Sequence, residues 1–181
     1  MLDNIRAHSL VVGRVAEFIA TALHRNGQPI SVELVLSAAL LHDIAKTACL
    51  HNGEDHASVG HDICLKHGYP ELAPIVRQHV ILIDGFPQNP ITEKEIVYYA
   101  DKRVKHDQIV SLESRQQYII DRYGLGDARR HDAIKRNFQQ SLLIEQELFA
   151  GLECNPAGLS DCLERSPDWL PENEKITECH V

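Results

Sequence analysis

The sequence predicts an all-α fold of about six to eight helices. Apolar residues recur at three- and four-residue spacing through most of the 181-residue chain, the period of a helix buried along one face. Cap and turn residues fall between those periodic stretches rather than inside them. Short apolar runs that would suit strands, such as residues 30–36, have flanks that continue at helical period.

Taken in order, Ile5, His8, Val11, Val12, Val15, Phe18, Ile19 and Ala22 mark a first helix, which Asn26-Gly27 closes. Ser31 is placed to cap a second helix carrying Leu34, Val35, Ala38, Leu41 and Ala45, since its hydroxyl can accept from a free N–H of the first turn. A third is expected from Asp55 to His67, where Gly68 can take the left-handed conformation that ends a helix. Pro70 suits the first turn of a fourth, running to about Leu82. Turn chemistry makes Asp84 to Pro90 a loop. Thr92 with Glu95 three residues on is a capping box, opening a helix through Ile96, Val97, Ala100 and Val104. Two further helices are expected near 111–123 and 127–149, parted by Gly124-Leu125-Gly126.

The composition then shifts. Residues 151–181 hold seven acids and two bases, with a short helical stretch near 158–165. We therefore expect a catalytic-size domain over 1–150 and an acidic, partly irregular tail over 151–181. Apolar residues make up 44% of the chain and charged residues 24%, which is a globular composition. Neither a membrane-spanning run nor a secretory leader is read from it. Lys and Arg total 18 against 26 Asp and Glu, a net charge of -8, which argues against nucleic acid as a partner. The five Cys are odd in number and scattered without a CxxC pair, which fits a reduced, cytoplasmic chain.

Histidine is the unusual residue: 11 are present, eight of them within the first 79 residues. In Leu40-Leu41-His42-Asp43-Ile44-Ala45-Lys46 an adjacent His-Asp pair interrupts an apolar helix face. Burying an unpaired carboxylate is costly, so Asp43 should meet a basic side chain or a metal ion. Asp101 likewise ends the apolar run that begins at Ile96, and His8 has apolar neighbours at i−3, i+3, i+4 and i+7. Two imidazoles and two carboxylates suit a divalent first-row metal. The bland alternative is a buried His-Asp ion pair with no metal.

The order His8, then His42-Asp43, then Asp101, with an apolar run before each Asp, resembles the HD-domain metal-dependent phosphohydrolases. The resemblance covers about residues 1–125 and implies a compact HD-domain-like helical bundle. It implies that His8, His42, Asp43 and Asp101 hold one divalent ion. Members with a Lys three residues after the Asp, as Lys46 is here, add two His and a second ion. His56 in Asp-His-Ala-Ser-Val-Gly and His79 in Val-Arg-Gln-His look like those two, with Asp43 bridging. The cofactor would be one or two ions of Fe, Mn, Co, Ni, Zn or Mg.

The implied activity is hydrolysis of a nucleotide or another small phosphate ester or anhydride by a metal-activated water. Asp43 would ligate and orient that water, and Lys46 would neutralise charge on the phosphoryl oxygens. Lys105, read as one turn past Asp101, is a second substrate-binding residue, while Arg77, Arg103 and Arg115 are bases the sequence does not place. The cyclic-di-GMP-hydrolysing branch has a His-His pair followed by Asp-Gly and Gly-Tyr-Pro. Here Val80 follows His79, and Gly68-Tyr69-Pro70 precedes it. A cyclic- or dinucleotide phosphodiesterase, a dinucleoside-polyphosphate hydrolase and a non-catalytic metal- or nucleotide-sensing module are the alternatives. The partner expected is a small phosphorylated substrate, with no nucleic acid and no membrane, and the tail could serve a homodimer. His24, His51, His61, His67, His106 and His131 read as surface residues, with His61 near enough to enter the pocket. Cys154, Cys162 and Cys179-His180 show no zinc-site spacing.

Overall fold

Local signals set most of the boundaries in the computed structural model, which describes residues 1–83 and 90–165. Helix α1, Asp3–Arg25, stops where Gly27 turns to a φ of 82°. The Ser31 side chain accepts from the Leu34 N–H and starts α2, Val32–Leu41. A single turn, α3 (Lys46–Cys49), follows and was not expected from the sequence. Asp55 caps α4, His56–Lys66, by accepting from the Ala57 N–H, and Gly68 ends it at φ 82°. The Thr92–Glu95 capping box opens α6, Glu93–Lys102, with both of its reciprocal bonds made.

Three expected boundaries are corrected. Helix α2 ends at Leu41 rather than Ala45, so His42 and Asp43 lie in a turn. There the bonding tightens, from the Ile44 N–H to the Leu41 carbonyl and from the Lys46 N–H to the Asp43 carbonyl. Helix α5 is short, Ala73–Gln78, and the proline in its first turn is Pro74, not Pro70. Helix α6 ends at Lys102, and Val104 lies in a small antiparallel hairpin of β1 (Val104–Lys105) and β2 (Gln108–Ile109). The hairpin turns through His106, whose φ of 56° is left-handed. Most of the loop expected at 84–90 lies outside the described residues.

Helices α7 (Leu112–Tyr123) and α8 (Ala128–Phe149) form the second half of the bundle. Their starts are capped by Ser111 and Asp127. The core runs from Val12, Val15, Ile19 and Leu23 of α1 through Ile96, Val97 and Ala100 of α6 to Ile144 and Leu148 of α8. Leu159 and Leu163 of α9 (Leu159–Glu164) are buried in the same cluster, so the core crosses the boundary drawn at 150. Arg103 ties this segment down by donating to the Pro156 carbonyl at 2.8 Å, and it also pairs with Glu145 at 3.1 Å. Cys154 and Cys162, read from the sequence as unrelated thiols, form a disulfide with Cα atoms 6.5 Å apart. The turn and helix between them, eight positions apart in sequence, bring them together, which spacing alone does not reveal. Among the described residues no helix is long and apolar enough to cross a membrane.

Helices α4 and α5 pack closely because Gly60 has no side chain. A Cβ there would stand 2.9 Å from Val76 Cγ1, a fully buried methyl, and 3.6 Å from Ile44 Cγ2. Overpacking of this kind costs about 1–3 kcal/mol. Gly60→Val is expected to lower unfolding stability by about that amount in urea denaturation. An unchanged midpoint would contradict the close approach.

Candidate metal centre

The turn after α2 carries the centre. His42 is fully buried, and its Nδ1–H donates to the Ala39 carbonyl at 2.7 Å. In an unbroken helix that carbonyl would serve the Asp43 N–H, so the side chain competes with the next helical bond where α2 ends. His79, immediately after α5, repeats the device: its Nδ1–H donates to the Val76 carbonyl at 2.7 Å. His8, on α1, donates from Nδ1 to the His106 carbonyl at 2.8 Å. A carbonyl can only accept, so in each neutral ring the proton is on Nδ1 and the lone pair on Nε2.

Those lone pairs converge. Four rings stand in a row, His8–His42–His79–His56, with centroids 5.3, 4.9 and 5.1 Å apart. Two carboxylates face them. Asp43 Oδ2 is 3.4 Å from His42 Nε2, and its Oδ1 lies 3.2 Å from His56 Nε2 and 3.5 Å from His79 Nε2. Asp101 Oδ1, from the end of α6, is 3.1 Å from His8 Nε2 and 3.7 Å from His42 Nε2. Two triads of metal-ligating type result, His8–His42–Asp43 and Asp43–His56–His79, with Asp43 common to both.

The electrostatics favour positive charge at the centre. Burial alone would raise the Asp43 carboxyl, but the positive charge and hydrogen bond that His42 offers when protonated, with the close approach of His56 and His79, outweigh it. Asp43 is thus held far below the usual carboxylate range. Asp101 is partly buried, and Lys102, His8 and Arg115 together hold it ionised. His79 goes the other way: burial pushes it down to about 4, against the pull of Asp43, so its ring is neutral at pH 7. His42 Nε2 and Asp43 Oδ1 are buried and make no hydrogen bond. Buried polar atoms of that kind need a partner. A divalent ion fits, because ionised carboxylate and neutral imidazole with its far nitrogen tied to a carbonyl are what such ions take.

The structure thus brings together His8, His42, Asp43, His56, His79 and Asp101. Lys46 joins them, its Nζ donating to Asp43 Oδ2 at 2.7 Å while its side chain stays 34% exposed. Lys105 does not. The early end of α6 moves it into β1, where its Nζ sits 4.9 Å from the Tyr118 ring centre and outside the cleft that holds the ligands. Arg77 donates to Asp55, and Arg103 is committed to the Glu145 and Pro156 contacts. His61 pairs with Asp62 and lies off the cluster.

Two contributors escaped the sequence reading. His106 is exposed and its ring is off the cluster, yet its backbone carbonyl orients His8. Lys102, buried at the end of α6, donates to the His79 carbonyl at 2.5 Å and to Asp101 Oδ2 at 3.3 Å. It joins α5 to α6 and leaves Asp101 Oδ1 facing the imidazoles. Burial lowers its ammonium to about 8, partly offset by Asp101. Only a residue count ending the helix at Lys102 could have pointed to it.

The cluster opens into a cleft of about 690 Å³. Its mouth is framed by α3, α7 and α8. No solved structure matches the chain significantly. It is similar to an uncharacterized protein, MJ0778, of Methanocaldococcus jannaschii, with 30% identity in an alignment 147 residues long that covers 74% of this chain and 83% of that relative. Residues 5–105 match the family model described as HD domain, a span holding all six ligand-type side chains of the two triads and Asp101. By motif order, by geometry and by this match, the chain belongs to the HD-domain metal-dependent phosphohydrolase superfamily.

Proposed function

We propose that the protein hydrolyses a phosphate ester or anhydride of a small molecule, a nucleotide or a compound of similar size, at the His–Asp cluster. One observation carries this reading: Asp43 is a buried carboxylate shared between two imidazole triads, with Oδ1 lacking a hydrogen bond. A purely structural ion pair has no use for a second triad beside an open cleft.

His8, His42, Asp43 and Asp101 would hold one divalent ion, and Asp43, His56 and His79 a second. Bound there, such ions would supply an acidified water at neutral pH and positive charge for the phosphoryl oxygens. The chain's own groups then have distinct tasks. Asp43 orients the nucleophile, because its position is set from four sides by His42, His56, His79 and Lys46. Lys46 is the mobile cation: it is partly exposed to the cleft and can turn from Asp43 to a phosphoryl oxygen. Lys102 keeps Asp101 in place through Oδ2. The cleft volume suits a ligand of drug or nucleotide size. The net charge of -8 continues to favour a small substrate over nucleic acid.

Elemental analysis of protein purified without chelator or affinity tag is expected to find about two transition-metal ions per chain. His79→Ala should reduce this toward one, and Asp43→Ala toward none. A wild-type protein with no metal, even after incubation with manganese, iron or cobalt, would rule the reading out. Lys46→Met is expected to lower kcat by about 10²–10³-fold with metal content unchanged, and Lys46→Arg to recover part of it. Equal loss of metal and activity in Lys46→Met would instead make Lys46 a support for the ligands.

A further inference from the structure

The cleft has two chemically different zones, and each draws on residues beyond the family match at 5–105: Arg115 on the floor, and Tyr123 and Ile134 at the mouth. At its floor, beside Asp101, stands Arg115 of α7. Its side chain is only 11% exposed, and its nearest carboxylate oxygen is Asp101 Oδ1 at 3.9 Å, beyond hydrogen-bond reach. Among the described residues its side chain makes no hydrogen bond. The guanidinium is held instead by the Tyr118 ring, 5.4 Å from centroid to Cζ. A planar cation with free donors, fixed by an aromatic ring at the edge of a ligand cluster, is suited to take phosphate oxygens two at a time.

The mouth carries a group of exposed apolar side chains. Leu50 after α3, Ile81 after α5 and Tyr123 at the end of α7 all line it, and they are 49%, 60% and 49% exposed. Ile134 of α8 lies on the same wall. Single exposed apolar side chains need no explanation, but three from separate elements converging on one cleft mouth do. A sugar phosphate or inorganic phosphate would engage the floor and leave this rim wet. A flat ring carried a few bonds from the phosphate would cover it.

We propose that Arg115 is a phosphate-binding residue and that Leu50, Ile81 and Tyr123 form a subsite for the base of a nucleoside phosphate. This rests on the hydrolase reading for the phosphate's position and deepens it to a substrate class. Tyr123 and Ile81 set the preference for a nucleoside over a bare phosphate head. Arg115 sets affinity for both.

The test is calorimetric titration of the full chain, loaded with excess manganese, using two probes with the same head group. One is α,β-methylene adenosine diphosphate and the other is methylenediphosphonate, which lacks the nucleoside. The nucleotide is expected to bind at least about tenfold more tightly. Tyr123→Ala and Ile81→Ser, both at exposed positions where folding is not at stake, should bring that ratio close to one without weakening methylenediphosphonate. Arg115→Gln should weaken both probes by about tenfold, and Arg115→Lys by less. Equal affinity of the two probes in the wild type, no binding of either, or a ratio untouched by the rim variants would overturn the subsite, whatever esters the protein hydrolyses. A nucleoside preference abolished by the rim variants, in a protein that hydrolyses no phosphate ester, would keep the subsite and overturn the hydrolase reading.

Discussion

Asp43 is a negative charge in a place where water cannot reach it, and most of the structure around it can be understood as the answer to that problem. Its carboxylate is 1% exposed and touches three imidazoles and one ammonium. Each of those groups comes from a different part of the fold: the turn after α2, the start of α3, the start of α4 and the end of α5. Moving any one of those elements away would leave a buried charge short of a partner, a loss of several kcal/mol in typical proteins, roughly 3–5 for a broken buried pair. The packing of α4 on α5 across Gly60 therefore has an electrostatic role as well as an apolar one. It sets how far His56 and His79 stand from the same oxygen.

The imidazoles are aimed by their own backbone. His42 and His79 each bond the carbonyl three residues earlier, and each does so where its helix ends. One hydrogen bond thereby satisfies a terminal carbonyl, fixes the ring's tautomer and points the free nitrogen into the cluster. That economy explains why neither residue needs a neighbouring acid on its far side. It also explains why the His-Asp pair leaves the helix that the apolar pattern promised to continue.

What could be read from the sequence was what is decided locally or by chemical type. Ser31, Asp55 and the Thr92–Glu95 box act within three residues of themselves, and each starts its helix as expected. The gathering of His8, His42, Asp43 and Asp101 was legible because acids and imidazoles among apolar neighbours must find partners. The misses share a different cause. The end of α2 depends on a side chain outcompeting a backbone bond, and the early end of α6 on a hairpin that periodicity does not register. The loss of α6's last turn removed Lys105 from the cleft, while Arg115, sequence-distant and without a motif, came into it from α7. Lys102 was hidden by its surroundings, since Lys102-Arg103 looks like a solvated basic pair until both are found buried. The Cys154–Cys162 pair formed because a turn and α9 fold back on themselves, a matter of tertiary path rather than spacing.

The carbonyl of His106 supports His8 from 98 residues away, at the tip of a hairpin whose backbone takes a left-handed turn. What matters at that position is the direction of a peptide group, and its ring is not needed for the bond. Asn or Gly, which enter that conformation readily, would serve as well, whereas a β-branched residue would resist it. Drift in residue identity there is therefore compatible with an unchanged ligand geometry. Drift in turn length is not. A search for reactive side chains would pass over the hairpin, although shortening it by one residue would redirect the imidazole that the first helix contributes to the His–Asp cluster.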